Sequence, residues 1–349
     1  MAQLTTLGYI LAALFMLGVL IMFHELGHYL AARWCGMEVK EFAIGMGPKL
    51  FSRKGKHGTL FSLRVLPMGG FCLYYGEDQE VDDPRAYNRQ PVWKRFVSVI
   101  AGPLMNFLLA LVVAVVFFMV WGADLPVPVI GTLDDGMPAA EAGLLPGDTI
   151  LAIDGLPISQ TKEAVDLVHG SEGRPLAFTV ARGESEFSVT VTPRYVKEHD
   201  TYLTGFRFAT VQTPLPFGTA ISTSVSFCRH VVVVTYQSLG DLIFRGEGTE
   251  EITGPVGIVN VIQEQTRAGG LPIYLYLAML ISINLGFMNL LPIPGLDGSR
   301  LIFNIVEAIR RKPLNRNVEG MIHFVGVVAL LGVMLIFTYQ DILHIIGVR

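Results

Sequence analysis

An apolar run long enough to cross a bilayer leads straight into a cluster of ionisable residues, and this pairing restricts the chain more than any other feature. From Leu7 to Phe23 no charged residue occurs, and His24, Glu25 and His28 follow at once. On an α-helix, positions i and i+4 project from one face, so His24 and His28 can reach one metal ion with Glu25 beside it. Two imidazoles suit zinc, and a neighbouring carboxylate can take a proton from water at the metal. Ionisable groups at membrane depth are costly, so they mark function by default. Hydrolysis of a peptide bond within the bilayer is the chemistry this arrangement suggests.

The 349 residues are 51% hydrophobic and 16% charged, and the apolar ones come in blocks, which excludes an ordinary soluble domain. Four segments, Leu7–Arg33, Val97–Trp121, Leu271–Leu291 and Met321–Ile342, approach the ~20 apolar residues that cross ~30 Å of hydrocarbon. The loop after the first is basic (Arg33, Lys40, Lys49, Arg53, Lys54, Arg64 and Arg95 among others), as is the loop after the third (Arg300, Arg310, Arg311, Lys312, Arg316). The stretch between the second and third carries Asp134, Asp135, Glu141, Asp148, Asp154, Glu250 and Glu251. The positive-inside rule then assigns both basic loops to the cytoplasm and the central region and both termini to the outside. Cys35, Cys72 and Cys228 form no CxxC and are too few for a disulfide framework, so they read as free thiols. A cleaved signal peptide is not expected, because the N-terminus has no basic n-region and cleavage after the first span would remove the histidines. No nucleic-acid partner is expected.

The topology gives an independent check on the site. At 1.5 Å per residue, His24 lies about 25 Å along its span, near the cytoplasmic end. The third span runs inward and closes on Asn284-LGFM-Asn289-LLPIPGLDG, so Asp297 arrives at the depth of His24 and His28. A catalytic zinc usually keeps three protein ligands and an open position, which makes Asp297 the expected third ligand and Glu25 the expected general base. Pro292 and Pro294 break the helix, and Gly295 and Gly298 permit sharp turns. A broken helix at that depth is tolerated where it lines protein or a water-filled cavity. Asn284 and Asn289 are candidates for binding substrate backbone or an oxyanion, grouped with Pro292 and Pro294. For Asn284 an interhelical hydrogen bond is the plain alternative. His57, His169, His199, His230, His323 and His344 lack partners at ligand spacing and read as surface or interfacial residues.

Between the first two spans, Glu41–Gly76 alternates apolar and polar residues on either side of a turn-like KGKHG, a β-hairpin signature. Gly45, Gly47, Gly69 and Gly70 allow close backbone approach to it.

The combination of HELGH in the first span and NLLPIPGLDG in the third resembles the site-2 protease family of intramembrane zinc metalloproteases, above all its RseP-like bacterial branch. The resemblance covers most of the chain. The family's HExxH falls on His24, Glu25 and His28, and its Asn-x-x-Pro-x-Pro-x-x-Asp-Gly falls on Asn289, Pro292, Pro294, Asp297 and Gly298. Ala101-GPLM-Asn106 looks like the family's Gly-Pro-x-x-Asn element, and Gly254–Ile258 (GPVGI) also looks familial. The resemblance implies a Zn2+ endopeptidase of the bacterial inner membrane, with its active site near the cytoplasmic side. It implies cleavage within transmembrane segments of single-pass proteins, such as anti-sigma factors and signal-peptide remnants. It also implies that the hairpin, with Gly45, Gly47, Gly69 and Gly70, receives the substrate as an added strand.

Val127–Arg194 resembles a PDZ domain: VIGTLDDGMPAAEAGLLPGDTILAIDG gives a strand, a short helix, a Gly-Asp turn and a second strand, and two more strands follow. PDZ domains take extended peptides, so a peptide ligand is implied. Only one copy is evident where proteobacterial relatives carry two. Phe217–Phe244 holds an apolar stretch of about 10–12 residues, too short for a span, and reads as an interfacial helix. A fifth span there would carry Asp297 to the opposite membrane face from His24.

The fold expected is an α-helical polytopic membrane protein of about four transmembrane helices, with a membrane-associated cytoplasmic β-hairpin and one extracytoplasmic PDZ domain. Residues 1–34 form the first span, 35–96 the hairpin loop, 97–121 the second span and 122–195 the PDZ domain. Residues 196–270 form the interfacial helix and linker, 271–299 the third span with LDG, 300–320 a cytoplasmic loop and 321–349 the fourth span. The competing readings are a peptidase of the Ste24 type acting on soluble peptides, a metal transporter and an inactive scaffold. The PDZ insertion and LDG element fit the first badly, a transporter has no use for Glu25, and the intact His24, Glu25, His28 and Asp297 set disfavours the third.

Overall fold

The structure is a computed structural model that describes residues 2–77, 81–197, 200–247 and 253–345. The chain divides into two compact units, Met1–Phe117 together with Phe217–Arg349, and Phe118–Pro216.

In the first unit, α1 (Ala2–Trp34) is continuous through the apolar run and the histidines. Its end is fixed by sequence: Gly36 has φ +83, its N–H donates to Arg33 O at 3.1 Å, and the Met37 N–H donates to Ala32 O at 2.9 Å. This six-to-one and five-to-two pair is a Schellman stop, which needs a left-handed residue that glycine supplies without a Cβ penalty. The fully buried Met37 anchors the exit into β1 (Val39–Lys54), which pairs with β2 (Leu60–Tyr74) across a turn at Gly55–Thr59.

The ladder is more than the simple hairpin read from the sequence. Ile44 lies opposite both Gly70 and Leu63, and Glu41 opposite both Leu73 and Leu60, while Phe51–Lys54 lies opposite Leu63–Leu60. Both strands bend back, so the first half of β1 is flanked on two sides and Gly70–Tyr74 forms one border. Gly45 (φ +84) and Gly69 (φ +79) mark the bends, and a Cβ on Gly45 would meet Leu66 O at 2.4 Å. Alternation predicts strands, but the fold-back depends on these positive-φ positions.

Next comes α2 (Val92–Val120), a long apolar helix. It packs closely on α1 because small residues meet: a Cβ on Gly27 would lie 2.2 Å from Ala101 O.

The second unit is built on a six-stranded sheet. β3 (Ala123–Leu133) is followed by the short α3 (Pro138–Glu141), then β4 (Thr149–Ile153) and β5 (Leu156–Pro157), joined by Asp154-Gly155 with both φ positive. This is the two-residue hairpin chemistry expected of Asp-Gly. α4 (Thr161–His169) opens with a capping box from Gln160 and Glu163. β6 (Leu176–Arg182), β7 (Ser185–Val191), β8 (Arg194–Val196), β9 (Thr201–Leu203) and β10 (Phe206–Thr213) follow, and the sheet order is β10-β3-β4-β6-β7, with β5 on β4. Leu176, Phe178 and Val180 alternate inward on β6 and pack on Ile130, Ile150, Ile153, Ala164 and Val168. The unit runs to Pro216, beyond the boundary at 195 read from the sequence, because β10 returns to pair with β3. That pairing joins residues from Phe206 opposite Leu133 to Thr213 opposite Ala123, far apart in sequence, and local pattern does not report it.

The first unit resumes with α5 (Phe217–Arg245), α6 (Pro255–Asn289), α7 (Asp297–Arg310) and α8 (Arg316–Ile345). The sequence reading gave an interfacial helix over Phe217–Phe244 with an apolar stretch too short for a span, and α5 is one 29-residue helix of membrane-crossing length and composition. Its Val231 packs with Ala110 of α2 and Ile283 of α6, and Thr235 Oγ1 donates to Asn284 Oδ1 at 2.7 Å. Serine, threonine and glycine lower its hydropathy without stopping the helix. By length and composition, five helices of the described residues are able to cross a membrane, against the four expected. α6 also begins earlier than the expected span, at Pro255, and is kinked at Gly270 (φ 64, ψ −151). Ile262 before the kink and Tyr274, Leu277 and Ala278 after it share one apolar cluster with Ala13, Met16 and Leu20 of α1.

In the second unit, Asp148 is buried and accepts Arg182 Nε at 2.7 Å, Arg182 Nη2 at 2.8 Å and the Leu145 N–H at 2.9 Å. The Arg182 guanidinium holds its carboxyl below the usual carboxylate range, against the opposing effect of burial. A lowered folded value means the carboxylate stabilises above the unfolded value and loses that effect as pH falls through the folded one. Asp148→Asn is expected to cost this unit about 1–3 kcal/mol at pH 7. Pulse proteolysis of the full chain in urea measures this, and the gap from wild type should close under acid conditions.

Candidate metal centre and active site

Three donor atoms converge from two helices. His24 Nε2 is 3.0 Å and His28 Nε2 3.2 Å from Asp297 Oδ2, and the two Nε2 atoms are 3.2 Å apart. Tetrahedral ligands about 2.0–2.1 Å from zinc stand about 3.3–3.4 Å from one another, so this triangle fits one face of a zinc site. The helical i, i+4 spacing delivers the histidines. Asp297 comes from the first turn of α7, after a break at Leu290–Leu296 in which Gly295 has φ +101. A Cβ on Gly298 would lie 2.1 Å from Leu291 O, so only glycine lets α7 start against the break.

The outer nitrogens of both rings are engaged by α2. His28 Nδ1 donates to Ser98 O at 2.9 Å, which leaves Nε2 with its lone pair for a metal. The side-chain amide of Asn106 lies 3.2 Å from His24 Nδ1, and Asn106 Oδ1 is buried without a hydrogen-bond partner in its assigned orientation. The two ends of an amide have the same shape, and with the oxygen turned to His24 it accepts the Nδ1–H. That arrangement again frees Nε2, as a metal site requires. Gly102 leaves room for the ring of His28, since a Cβ there would be 2.3 Å from Nε2. Sequence reading noted the Gly-Pro-x-x-Asn element but assigned Asn106 and Gly102 no part in the site, and nothing in the sequence singles out Ser98.

A cavity of about 400 Å³ contains the triad and Glu25 and is walled by Gly70–Tyr74, Glu77, Asn289, Arg300 and His323. His24, Glu25 and His28 are each less than a tenth exposed. The Gly70 backbone lies directly against Glu25, for a Cβ there would stand 2.9 Å from Glu25 Cγ. Among the four hairpin glycines, Gly70 is in this wall; Gly45, Gly47 and Gly69 have positive φ in the ladder.

Other expected site residues divide. Asn289 lines the cavity while its Nδ2 donates to Leu285 O at 2.9 Å. Asn284 is absent from the wall and accepts from Thr235, which is the interhelical alternative. Pro292 and Pro294 shape the break outside the wall, and Pro294 backs directly onto Gly326 of α8. His323, read as a surface or interfacial residue, lines the cavity instead. Arg300 and Glu77 were not singled out, although Arg300 shares a helix face with Asp297 at i+3.

A His-Glu-x-x-His helix closed by an aspartate from a second, broken helix defines a class, the zinc metalloproteases built into membrane helices. The model of peptidase family M50 matches residues 12–333, and the chain belongs to this family, that of the site-2 proteases. It is a zinc metalloprotease and an integral membrane protein. The zinc metalloprotease RasP of Bacillus licheniformis is 32% identical over 418 aligned positions, covering 95% of this chain and 98% of that protein. The regulator of sigma-W protease RasP of Bacillus subtilis is 31% identical, with coverages of 95% and 98%. Among solved structures, the PDZ domain of an SdrC-like protein from Listeria monocytogenes is 21% identical, covers 25% of this chain and 90% of its own, and has a TM-score of 0.22.

Two substitutions test the packing around the rings. Asn106→Ala is expected to weaken zinc binding about 10–100-fold, as loss of an outer-shell partner does. Gly102→Ala is expected to weaken it further, because the added methyl displaces His28 itself. Competition with a fluorescent zinc chelator measures both.

Proposed function

We propose that the chain is an intramembrane zinc endopeptidase that cuts transmembrane segments of single-pass membrane proteins, with zinc held by His24, His28 and Asp297. The observation that carries this reading is the 3.0–3.2 Å triangle of donors beside Glu25 within helices of membrane length. Zinc bound there supplies Lewis acidity to a peptide carbonyl and makes water acidic enough to ionise near neutral pH. Glu25 takes the proton from the attacking water and returns it to the departing nitrogen. Ser98 and Asn106 keep the two imidazoles in the tautomer and orientation that present Nε2. The burial of His24, Glu25 and His28 strengthens the charge interactions among them.

Gly70–Tyr74 borders the β1–β2 ladder and lines the cavity, which supports substrate capture by strand addition. An extended strand exposes its carbonyls, whereas a transmembrane helix keeps them in its own hydrogen bonds. Exposed Met46, Leu50, Phe51, Leu63, Val65 and Leu66 on the ladder fit contact with the bilayer. The second unit acts as a PDZ domain outside the cytoplasm, and the cleft of about 260 Å³ between α4 and Phe206–Phe208 suits an extended peptide. In this reading α5 is a helix that adds no crossing, which leaves Asp297 at the membrane depth of His24, in keeping with their 3.0 Å separation. The bacterial inner membrane is the location, with the metal centre toward the cytoplasm. Anti-sigma factors and signal-peptide remnants are the substrate classes, in keeping with the sigma-W regulation named for the Bacillus subtilis relative.

The test is cleavage of a model single-span substrate by the detergent-solubilised full chain. Glu25→Gln is expected to retain about one zinc per chain and lose activity by at least 10²–10⁴-fold, the span of general-base contributions. Equal cleavage by both proteins would refute Glu25 as the base. Zinc bound by both with no cleavage by either would favour an ion-handling role.

A further inference from the structure

Hydrolysis of a peptide bond moves negative charge onto the carbonyl oxygen, and enzymes meet that charge with preorganised donors as well as with a metal. The cavity wall offers few. Asn289 spends a donor on its own helix, and Asn284 faces α5. Tyr74 is stacked on Tyr87 at 5.0 Å and 11° and is buried. His323 and Arg300 remain, and of the two Arg300 is the permanent cation, one helical turn beyond Asp297 and in the same wall as Glu25. Its Nη1 donates to Glu77 Oε1 at 2.5 Å. A guanidinium carries five N–H donors in a fixed fork, so this ion pair steadies it and leaves donors for another acceptor.

Arg300 also stands at a boundary. With Glu77 and His323 it lines both the metal-site cavity and a second cavity of about 640 Å³, bordered by Asn317, Met321 and Phe324. A cation in the partition between two cavities, and not only at a helix surface, is positioned to hold an anion on the metal-site side.

We propose that Arg300 is a catalytic residue that receives the scissile carbonyl oxygen as it becomes anionic, and that Glu77 is the positioning residue that holds it. The proposal rests on the peptidase reading above. In the reaction, water gives its oxygen to the carbonyl carbon and both protons to the nitrogen as the C–N bond breaks. The acyl fragment leaves as a carboxylate and the other as an ammonium group. Arg300 therefore meets a charge that grows in the transition state and persists in the acyl product.

The experiment compares full-length wild type with Arg300→Gln, Arg300→Lys, Glu77→Gln, His323→Gln and the exchange Arg300→Glu with Glu77→Arg, using Glu25→Gln as the inactive control. Zinc content and thermal stability are recorded for each. Arg300→Gln is expected to lower kcat about 10²–10³-fold with zinc retained and KM little changed, as removal of an oxyanion donor does. Arg300→Lys should recover part of the loss, Glu77→Gln should lose less, and the exchanged pair should stay inactive. A second readout needs neither metal nor turnover. Zinc-free wild type should bind the acyl product peptide about tenfold more tightly as its carboxylate than as its amide, and Arg300→Gln should abolish that preference.

Wild-type kcat in Arg300→Gln overturns the proposal, as does recovery of activity by the exchanged pair, which would make the ion pair only a brace. Loss of kcat in His323→Gln with none in Arg300→Gln would do the same. A wild type that cleaves no substrate at all refutes the peptidase reading, and this proposal with it.

Discussion

Two imidazole nitrogens and a carboxylate oxygen held within 3.2 Å of each other are the constraint to which the helices of the first unit conform. Such a cluster of lone pairs is unfavourable in an apolar interior unless a cation shares it and the outer atoms of each ligand are bonded. The second condition is met for both rings from one face of α2. Arg95, Ser98, Gly102 and Asn106 recur at spacings of three and four residues, as one helical face demands. Ser98 and Asn106 engage the rings, Gly102 makes room for one of them, and Arg95 reaches the helix that carries the aspartate. The close approach needed for this is set by small residues, with Gly27 against Ala101 and Gly286 against Pro103.

The carboxylate needs a rigid platform, since it comes from a chain break and not from a continuous helix. Arg95 forms a bidentate pair with Glu307 at 3.0 and 2.6 Å, and both side chains are largely buried. A fork-to-fork pair fixes orientation as well as distance, so α7 is located relative to α2 and Asp297 relative to the rings. At the other end of the same helix, Arg300 is paired with Glu77 in the turn that follows β2. One short helix is thus tied at each end to a different element. Buried pairs of this kind add little net stability, and their value here is geometric.

The bent ladder of β1 and β2 brings a backbone edge to the same cavity, with Gly70 pressed against Glu25. A substrate arriving as a helix presents no free carbonyl to a metal, which is the reason the proposed capture uses a neighbouring strand edge. Under the strand addition proposed above, strand geometry would hold the peptide extended while the metal polarises it.

The sequence by itself determined the elements whose signals are local. The HELGH spacing set two donors on one helical face, the Pro-x-Pro-Gly stretch set the break before Asp297, and alternation set the strands of both units. Gly36 stopped α1 where a left-handed residue was required. Only the tertiary structure decided what depends on neighbours remote in sequence. Asn284 was an amide in an apolar span until Thr235 of α5 claimed it, and His323 was a lone histidine until α8 carried it to the cavity. The packing of α5 on α2 and α6, the fold-back of the ladder and the return of β10 to β3 likewise rest on contacts and pairing that no window of sequence contains. Arg300 and Asn106 were legible as residues but not as partners, because a side chain's chemistry is local while the atom it faces is chosen by the fold.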